Sequence, residues 1–384
     1  VFECCTFGTA TGYNDVIDFA GGQRPGPIVQ IYDSVFLGGG DDGLDLDGAD
    51  AHIEGNVFAH FNRNQAGDST SNAIATGRDG DYATDLCVVR NLFVNNDHAV
   101  LLKENGFLRA EHNTFVNTGI AAVSFGEPDR SPPRLAGRGA CLAGNIFWNN
   151  AAMFEHLFEE PLPDYGPTDM VIDASVLPAA WHGLGLGNID VDPLFVGEND
   201  YHLRPMSAAV ASGPSGLDMG AYVPGGAAIT GEPSGVTCRM DATLMVGGPG
   251  IADYVYSVNS PGGPWSEERP VDVPIRLTGL QDGQSYTVYV LGKNSAGRWK
   301  ERPNASRTWV VDPAYRRLVI RSNPASSSFP PERRFDRESI SCCLPMPVQS
   351  PETIWVLRST GRAVSCICTV ATVLCWTALS SVIN

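Results

Sequence analysis

The feature that most constrains this chain is a six-residue signature that returns six times within its first 150 residues. It reads Phe2-Glu3-Cys4-Cys5-Thr6-Phe7, Ile31-Tyr32-Asp33-Ser34-Val35-Phe36, Ile53-Glu54-Gly55-Asn56-Val57-Phe58, Val88-Val89-Arg90-Asn91-Leu92-Phe93, Ala110-Glu111-His112-Asn113-Thr114-Phe115 and Leu142-Ala143-Gly144-Asn145-Ile146-Phe147. Successive copies are 29, 22, 35, 22 and 32 residues apart. The two gaps of 22 suggest the basic unit, and the longer gaps suggest loops inserted into it. A repeat of this size marks a stacked architecture, in which each unit buries its apolar face only against its neighbours. Helical repeats do not fit, because the recurring segments are short, β-branched or aromatic, and bounded by Gly, Asn and Asp. Strands wound in parallel coils lie ~4.8 Å apart, so equivalent residues form columns. One column is Phe7, Phe36, Phe58, Phe93, Phe115 and Phe147. Another is Ser34, Asn56, Asn91, Asn113 and Asn145, whose side chains can bond one another up the stack as an Asn ladder.

These residues predict an all-β chain, and their pattern resembles the right-handed parallel β-helix (solenoid) of the pectate-lyase-like superfamily over residues 1–226. Second strands follow in each coil: Val16 to Phe19, Gly43 to Asp47, Asn72 to Thr76, His98 to Leu102 and Gly119 to Val123. A period of two points Ile17, Leu44, Ile74, Val100 and Ala121 inward and Asp18 and Asp45 outward from adjacent coils. The polar, Gly/Pro-rich inserts 62–80 and 127–139 belong on the rim as loops. Beyond residue 150 the repeat weakens. Residues 153–158 are expected as a short helix and 171–176 as a worn coil. The segments Asp192-Pro193-Leu194-Phe195, Tyr201-His202-Leu203-Arg204-Pro205 and Leu217-Asp218-Met219-Gly220-Ala221-Tyr222 look like the closing coils of secreted bacterial β-helix proteins.

After Pro224-Gly225-Gly226 the character changes. Residues 227–312 alternate like half-buried strands at sandwich spacing. The run from Leu277 to Gly283, the Tyr286 to Val290 strand and Asn294-Ser295-Ala296-Gly297 are similar to the late strands of fibronectin type III domains, which implies a spacer or adhesive module. Residues 313–384 lose this order. Leu318-Val319-Ile320 resembles the first strand of a lamin-tail-like domain, but eight Arg without Lys and five Cys follow no strand or helix period. That tail is expected to be disordered or out of frame. Its uncharged end, 363–384, is a candidate for a weak membrane anchor. The chain opens at Val1 directly in a coil, which predicts further coils or a cap upstream.

Charge separates the chain in the same way: residues 1–315 carry a net −21 and residues 316–384 a net +4. An acidic body with three lysines lacks the basic stripe that nucleic acid requires. It is compatible with cations, neutral sugars or plain solubility, and a monomer is expected. Cys87 and Cys141 share a column with one coil between them, too far apart for a disulfide, so both are expected as buried thiols.

The densest chemistry is the run Asp41, Asp42, Asp45, Asp47 and Asp50, with Asp18 one coil below Asp45. Stacked carboxylates repel unless a cation or proton lies between them. Asp18, Asp45 and Asp47 are the expected ligands of a hard cation such as Ca²⁺. The competing reading is a solvated acidic face. Lys103 is placed outward in the column of Asp47, Gly77 and Ser124, with Arg78 and His98 near it. The resemblance to β-helix polysaccharide lyases implies a catalytic role for Lys103 in proton abstraction and substrate contacts for Arg78 and His98. A surface ion pair explains Lys103 equally well. His52, His60, His98 and His112 have no zinc spacing. Two functions follow as expectations: an extracellular or surface scaffold that contacts polysaccharide, or a Ca²⁺-dependent polysaccharide lyase.

Overall fold

A computed structural model describes residues 1–63, 71–127, 135–157 and 169–315 and, as backbone strands, 353–359, 362–369 and 372–374. The first part is a parallel β-helix with three sheets along the stack. Sheet 1 runs through Phe2–Glu3, Val29–Tyr32, Ala51–Glu54, Asp85–Val89, Phe107–Glu111, Gly139–Ala143 and Asp169–Asp173. Sheet 2 runs through Thr6–Phe7, Val35–Phe36, Val57–Ala59, Leu92–Val94, Thr114–Val116 and Ile146–Trp148. Sheet 3 runs through Ile17–Ala20, Leu44–Asp47, Asn72–Asp79, His98–Leu101, Ala121–Ser124 and Phe154–Glu155.

The signature is the corner from sheet 1 into sheet 2. Its third residue takes a left-handed φ, as at Asp33 (46°), Arg90 (56°) and His112 (53°), a conformation that costs energy for residues with a side chain. The ladder residue that follows offsets this cost. Asn91 Oδ1 accepts the main-chain N–H of Asn56 at 2.9 Å, Asn113 Oδ1 that of Asn91 at 2.8 Å, and Asn145 Oδ1 that of Asn113 at 2.8 Å. Each amide also donates to a carbonyl of an adjacent coil, Asn91 Nδ2 to Ile53 O at 2.8 Å and Asn145 Nδ2 to Ala110 O at 2.8 Å. Ser34 and Ser175 continue the ladder at either end. Inside, the six Phe rings stack at 4.5, 4.5, 5.2, 4.9 and 4.7 Å between centroids. The rings sit that close because the coil rise holds them there.

Sheet 3 has a local irregularity that matters for its outer face. Ala73 and Ile74 both pack in the core, as do Ala99 and Val100, so the strict two-residue alternation is interrupted. Asn72 and His98 therefore share the outward side with Ala75 and Leu101. Register differs from expectation in one coil: Ala121 lies opposite His98 and Ser124 opposite Leu101. The coil is thus shifted by two residues, which moves Ala121 from its expected inward position to the outward side next to His98, brings Ala122 and Val123 into the core, and removes Ser124 from the Lys103 column. Residues 154–155 form a strand rather than part of a helix, because Phe154 is drawn into the core beside Phe147 and Trp181. Cys87 and Cys141 are separated by Arg109 as expected; Cys87 is buried, but Cys141 is exposed.

The expected closing coils take another path. Phe195–Gly197 and Asp200–Leu203 pair antiparallel, and Phe195, Tyr201 and Ala221 cover Leu92, Val94 and Val116 on the outside of sheet 2. That face is apolar and has to be covered. The chain then runs back down the stack, with Gly220 N–H on Gly144 O (2.7 Å), Ala221 N–H on Thr114 Oγ1 (3.0 Å) and Arg90 Nε on Val223 O (2.8 Å).

This return delivers a β-sandwich to the outer side of sheet 1. Ala228–Thr230, Asp241–Gly247 and Ile275–Thr278 form one sheet, Arg269–Pro270, Ile251–Val258, Val288–Asn294 and Asn304–Ala305 a second, and Gly235–Thr237, Trp309–Val311 and Ser285–Tyr286 a third. Leu244, Tyr254, Ile275, Val288, Val290 and Trp309 belong to a core separate from that of the solenoid, yet both parts lie in one compact unit, Val1–Pro313. The joint is polar. Glu54, almost fully buried, meets Lys300 at 2.6 Å, His52 Nε2 at 3.1 Å and Arg90 at 3.3 Å. His52 Nδ1 reaches Ser295 Oγ at 3.0 Å, Asn294 Nδ2 donates to Tyr32 Oη at 3.0 Å, and Gly250 N–H donates to Glu111 at 2.8 Å.

In the tail, Thr353–Ser359, Arg362–Thr369 and Thr372–Leu374 pair antiparallel. The lamin-like strand at 318–320 and residues 375–384 of the candidate anchor lie outside the described residues. Among the described residues no helix is long and apolar enough to cross a membrane.

Asn91→Ala should lower unfolding free energy by about 3 kcal/mol in urea titrations, since it strands the buried Asn56 N–H and the Ile53 carbonyl at once. The joint has its own pH window. Burial raises the Glu54 pKa, but His52 and Lys300 outweigh it and bring it down to about 2 from 4.5. Burial disfavours the charged His52, but Cys87 and Glu54 lift its pKa to about 9 from 6.5. Both contributions are complete between pH 4.5 and 6.5; the His52 part is lost as pH rises through about 9, and the Glu54 part as it falls through about 2. Hydrogen exchange should show Val288–Asn294 and Ala51–Glu54 losing protection together above pH 9, and no change there would remove the ionic account.

Candidate functional site

The outer face of sheet 3 collects the ionisable side chains of five coils. Register places Asp18 beside Asp45, then Ala75 and Leu101 in the same column, and Ala20, Asp47 and Gly77 in the next. One residue past Leu101–Leu102, Lys103 extends the Asp47–Gly77 column. A third column, three residues earlier in each coil, consists of Asp15, Asp42, Asn72 and His98. The signal for it was present in the sequence as a shared offset, since Asp15 precedes Asp18 by the same three residues as Asp42 precedes Asp45. Strict alternation would have turned these residues inward, which is why period-two reading passes over them.

The third column is tied together by hydrogen bonds. Asp42 N–H donates to Asp15 Oδ1 at 3.2 Å, and Asn72 Nδ2 donates to Asp42 Oδ1 at 2.6 Å. That fixes the Asn72 amide, so its oxygen faces His98 Nδ1 at 2.9 Å. His98 Nε2 reaches Glu155 Oε2 at 3.1 Å. His98 is 3% exposed with an oxygen acceptor at each nitrogen, so in this arrangement it holds Asn72 and Glu155 in place. Asp15, Asp41 and Asp42 bring carboxylate oxygens within 4.8 Å of one another. Among the described residues this is the tight carboxylate group, one offset away from Asp18, Asp45 and Asp47. Its oxygen-only donor set is of the hard-cation type.

Asp45 lies between this group and Lys103. Its Oδ1 is buried and has no hydrogen-bond partner among the described residues. Burial first, then the charge of Asp47, raise its pKa to about 6 from 3.8, with Asp15 and Asp18 adding and Lys103 opposing. Asp42 and Asp15 are also raised, in both cases by burial first. Lys103, 6% exposed, ion-pairs with Glu127 Oε2 at 3.6 Å, and Thr76 Oγ1 accepts its main-chain N–H at 3.0 Å. Asp18 is exposed on the lowest coil. Asp47 and Glu104 converge over Gly77, where a side chain would collide with the Asp47 carboxylate. Arg78 donates its main-chain N–H to Glu104 at 3.1 Å, and its guanidinium lies 3.8 Å from Asp81. Asp50 is elsewhere, at the next corner, where it holds Arg24 at 3.2 Å and the Asp85 N–H at 2.9 Å.

Chemically, the face offers a row of closely spaced carboxylates flanked by the buried ammonium of Lys103. No protein-family model, curated protein or solved structure matches this chain. Fold and face together define a parallel β-helix protein with an ionisable strip on one outer face.

Asp45 yields a signed prediction. In the unfolded chain it ionises near 3.8, in the folded protein near about 6, so stability falls with rising pH across that interval and stays lower above it. Asp45→Asn should therefore raise the melting temperature at neutral pH, with the gain disappearing below pH 3.8. A variant less stable than the parent at neutral pH would show that Asp45 is charged and compensated.

Proposed function

We propose that this chain is an extracellular or cell-surface scaffold of the pectate-lyase-like β-helix type that contacts polysaccharide through the outer face of sheet 3. The observation that carries this reading is the buried Oδ1 of Asp45, which has no hydrogen-bond partner among the described residues. Buried polar atoms are normally satisfied, and a sugar hydroxyl or a cation would supply what Asp45 lacks. Asp15, Asp41 and Asp42 are the residues that would hold Ca²⁺ there, neutralising mutual repulsion of the carboxylates. The sandwich, built from two sheets of three strands and one of four, is similar to fibronectin type III modules in its late strands and acts as a docked spacer.

A second reading, a Ca²⁺-dependent polysaccharide lyase, is favoured by the burial of Lys103 beside Asp45. In such a reaction a base removes the proton α to a uronate carboxylate, a C=C bond forms and the glycosidic C–O bond breaks, with a proton going to the leaving oxygen. In this reading Lys103, once released from Glu127, would take the proton and Arg78 would meet the carboxylate. Asp45, with its raised pKa, is suited to the return of a proton.

Affinity electrophoresis against neutral and uronate polysaccharides, with and without a chelator, tests the first reading. Binding should weaken about tenfold or more in Asp45→Asn, the equivalent of one charge-assisted hydrogen bond, and retention equal to the parent would refute it. Ultraviolet absorbance of unsaturated products from uronate polymers, lost in Lys103→Ala, separates the lyase from the scaffold.

A further inference from the structure

The corner from sheet 2 towards sheet 3 also repeats. Asn95, Asn117 and Asn149 stand above one another there, since Asn95 N–H donates to Val116 O and Asn117 N–H to Trp148 O, both at 3.2 Å. All three have left-handed φ values, 55°, 57° and 53°, which asparagine tolerates better than most residues. That accounts for the residue type but not for where the amides lead. They line one wall of a groove of about 730 Å³, opposite the hairpin of Phe195–Gly197 and Asp200–Leu203, with the half-buried Trp148 between. Asn149 Nδ2 donates to Asn117 Oδ1 at 2.6 Å. The Asn117 amide N–H groups and the whole Asn95 amide have no partner among the described residues.

The column therefore presents donors and acceptors once per coil, ~4.8 Å apart, a step close to the rise of one pyranose in an extended glycan. Trp148 adds an aromatic surface of the kind that packs against sugar C–H groups. The rim is acidic, with Asp192 and Glu198, and the Arg204 guanidinium is turned to the Val196 carbonyl at 3.1 Å. An anionic chain would be repelled. We propose that this groove binds a neutral oligosaccharide along the stack axis, its hydroxyls on Asn95 and Asn117 and one ring against Trp148. This site is on a different face from sheet 3 and does not depend on the reading given for that face.

The test is isothermal titration of the full chain with cellotetraose, mannotetraose and xylotetraose. Asn95→Gly and Asn117→Gly remove the amides in a backbone conformation that suits glycine. At least one tetrasaccharide should bind the parent, and each variant should weaken it about tenfold, the loss of one or two hydrogen bonds. Arg276→Ala, on the exposed surface of the sandwich, should leave that binding unchanged. The proposal is overturned if none of the three sugars binds or if the glycine variants bind like the parent.

Discussion

The structure depends on one requirement: every main-chain N–H and C=O at a tight corner inside a stack must find a partner, because water does not reach it. Neighbouring strands satisfy most such groups through parallel pairing, but a turn cannot. In this chain asparagine does so at the corner between sheets 1 and 2, its amide oxygen accepting a main-chain N–H of the preceding coil and its amide nitrogen donating to a carbonyl of that same coil. Left-handed backbone at Arg90 or His112 is tolerable only because those bonds are in place. Once the corner is held, coil rise is set, and the Phe column has to stack face to face within it.

A stack built this way multiplies side-chain chemistry. Whatever residue occupies a column meets its counterparts at strand spacing, so apolar columns become core and carboxylate columns become strips of mutual repulsion. The face of sheet 3 is such a strip. Protons, amides and ammonium groups temper it: Asn72 bonds Asp42, and Lys103 counters Asp45. The joint with the sandwich deals with charge differently, gathering Lys300, Arg90 and His52 around a single buried Glu54. Burial makes such a group costly to disrupt even where its net contribution to stability is modest.

Much of this was legible in the sequence. Six copies of the signature were enough for the columns, because identical residues at ladder positions have few uses outside a stack. The pairing of Asp18 with Asp45 followed from the same alignment. Less legible were Asp15, Asn72 and Glu155, since the irregularity at Ala73–Ile74 that turns their columns outward leaves no mark in hydrophobic alternation. The two-residue shift of the 121–124 coil was hidden for a related reason: Ala, Ile and Val are acceptable inside at either register, so composition does not discriminate.

By itself, then, the amino-acid order determined the winding of the coils, the interior columns and the acidic character of one face, because these rest on contacts between equivalent positions of adjacent units. Only the tertiary structure decided how residues 192–223 return along the outside of sheet 2, where the sandwich docks and which carboxylates converge. Those outcomes rest on contacts between unlike segments, such as Arg90 with Val223 or Glu54 with Lys300. No repeat relates such partners, and the burial that selects them exists only once the stack has formed.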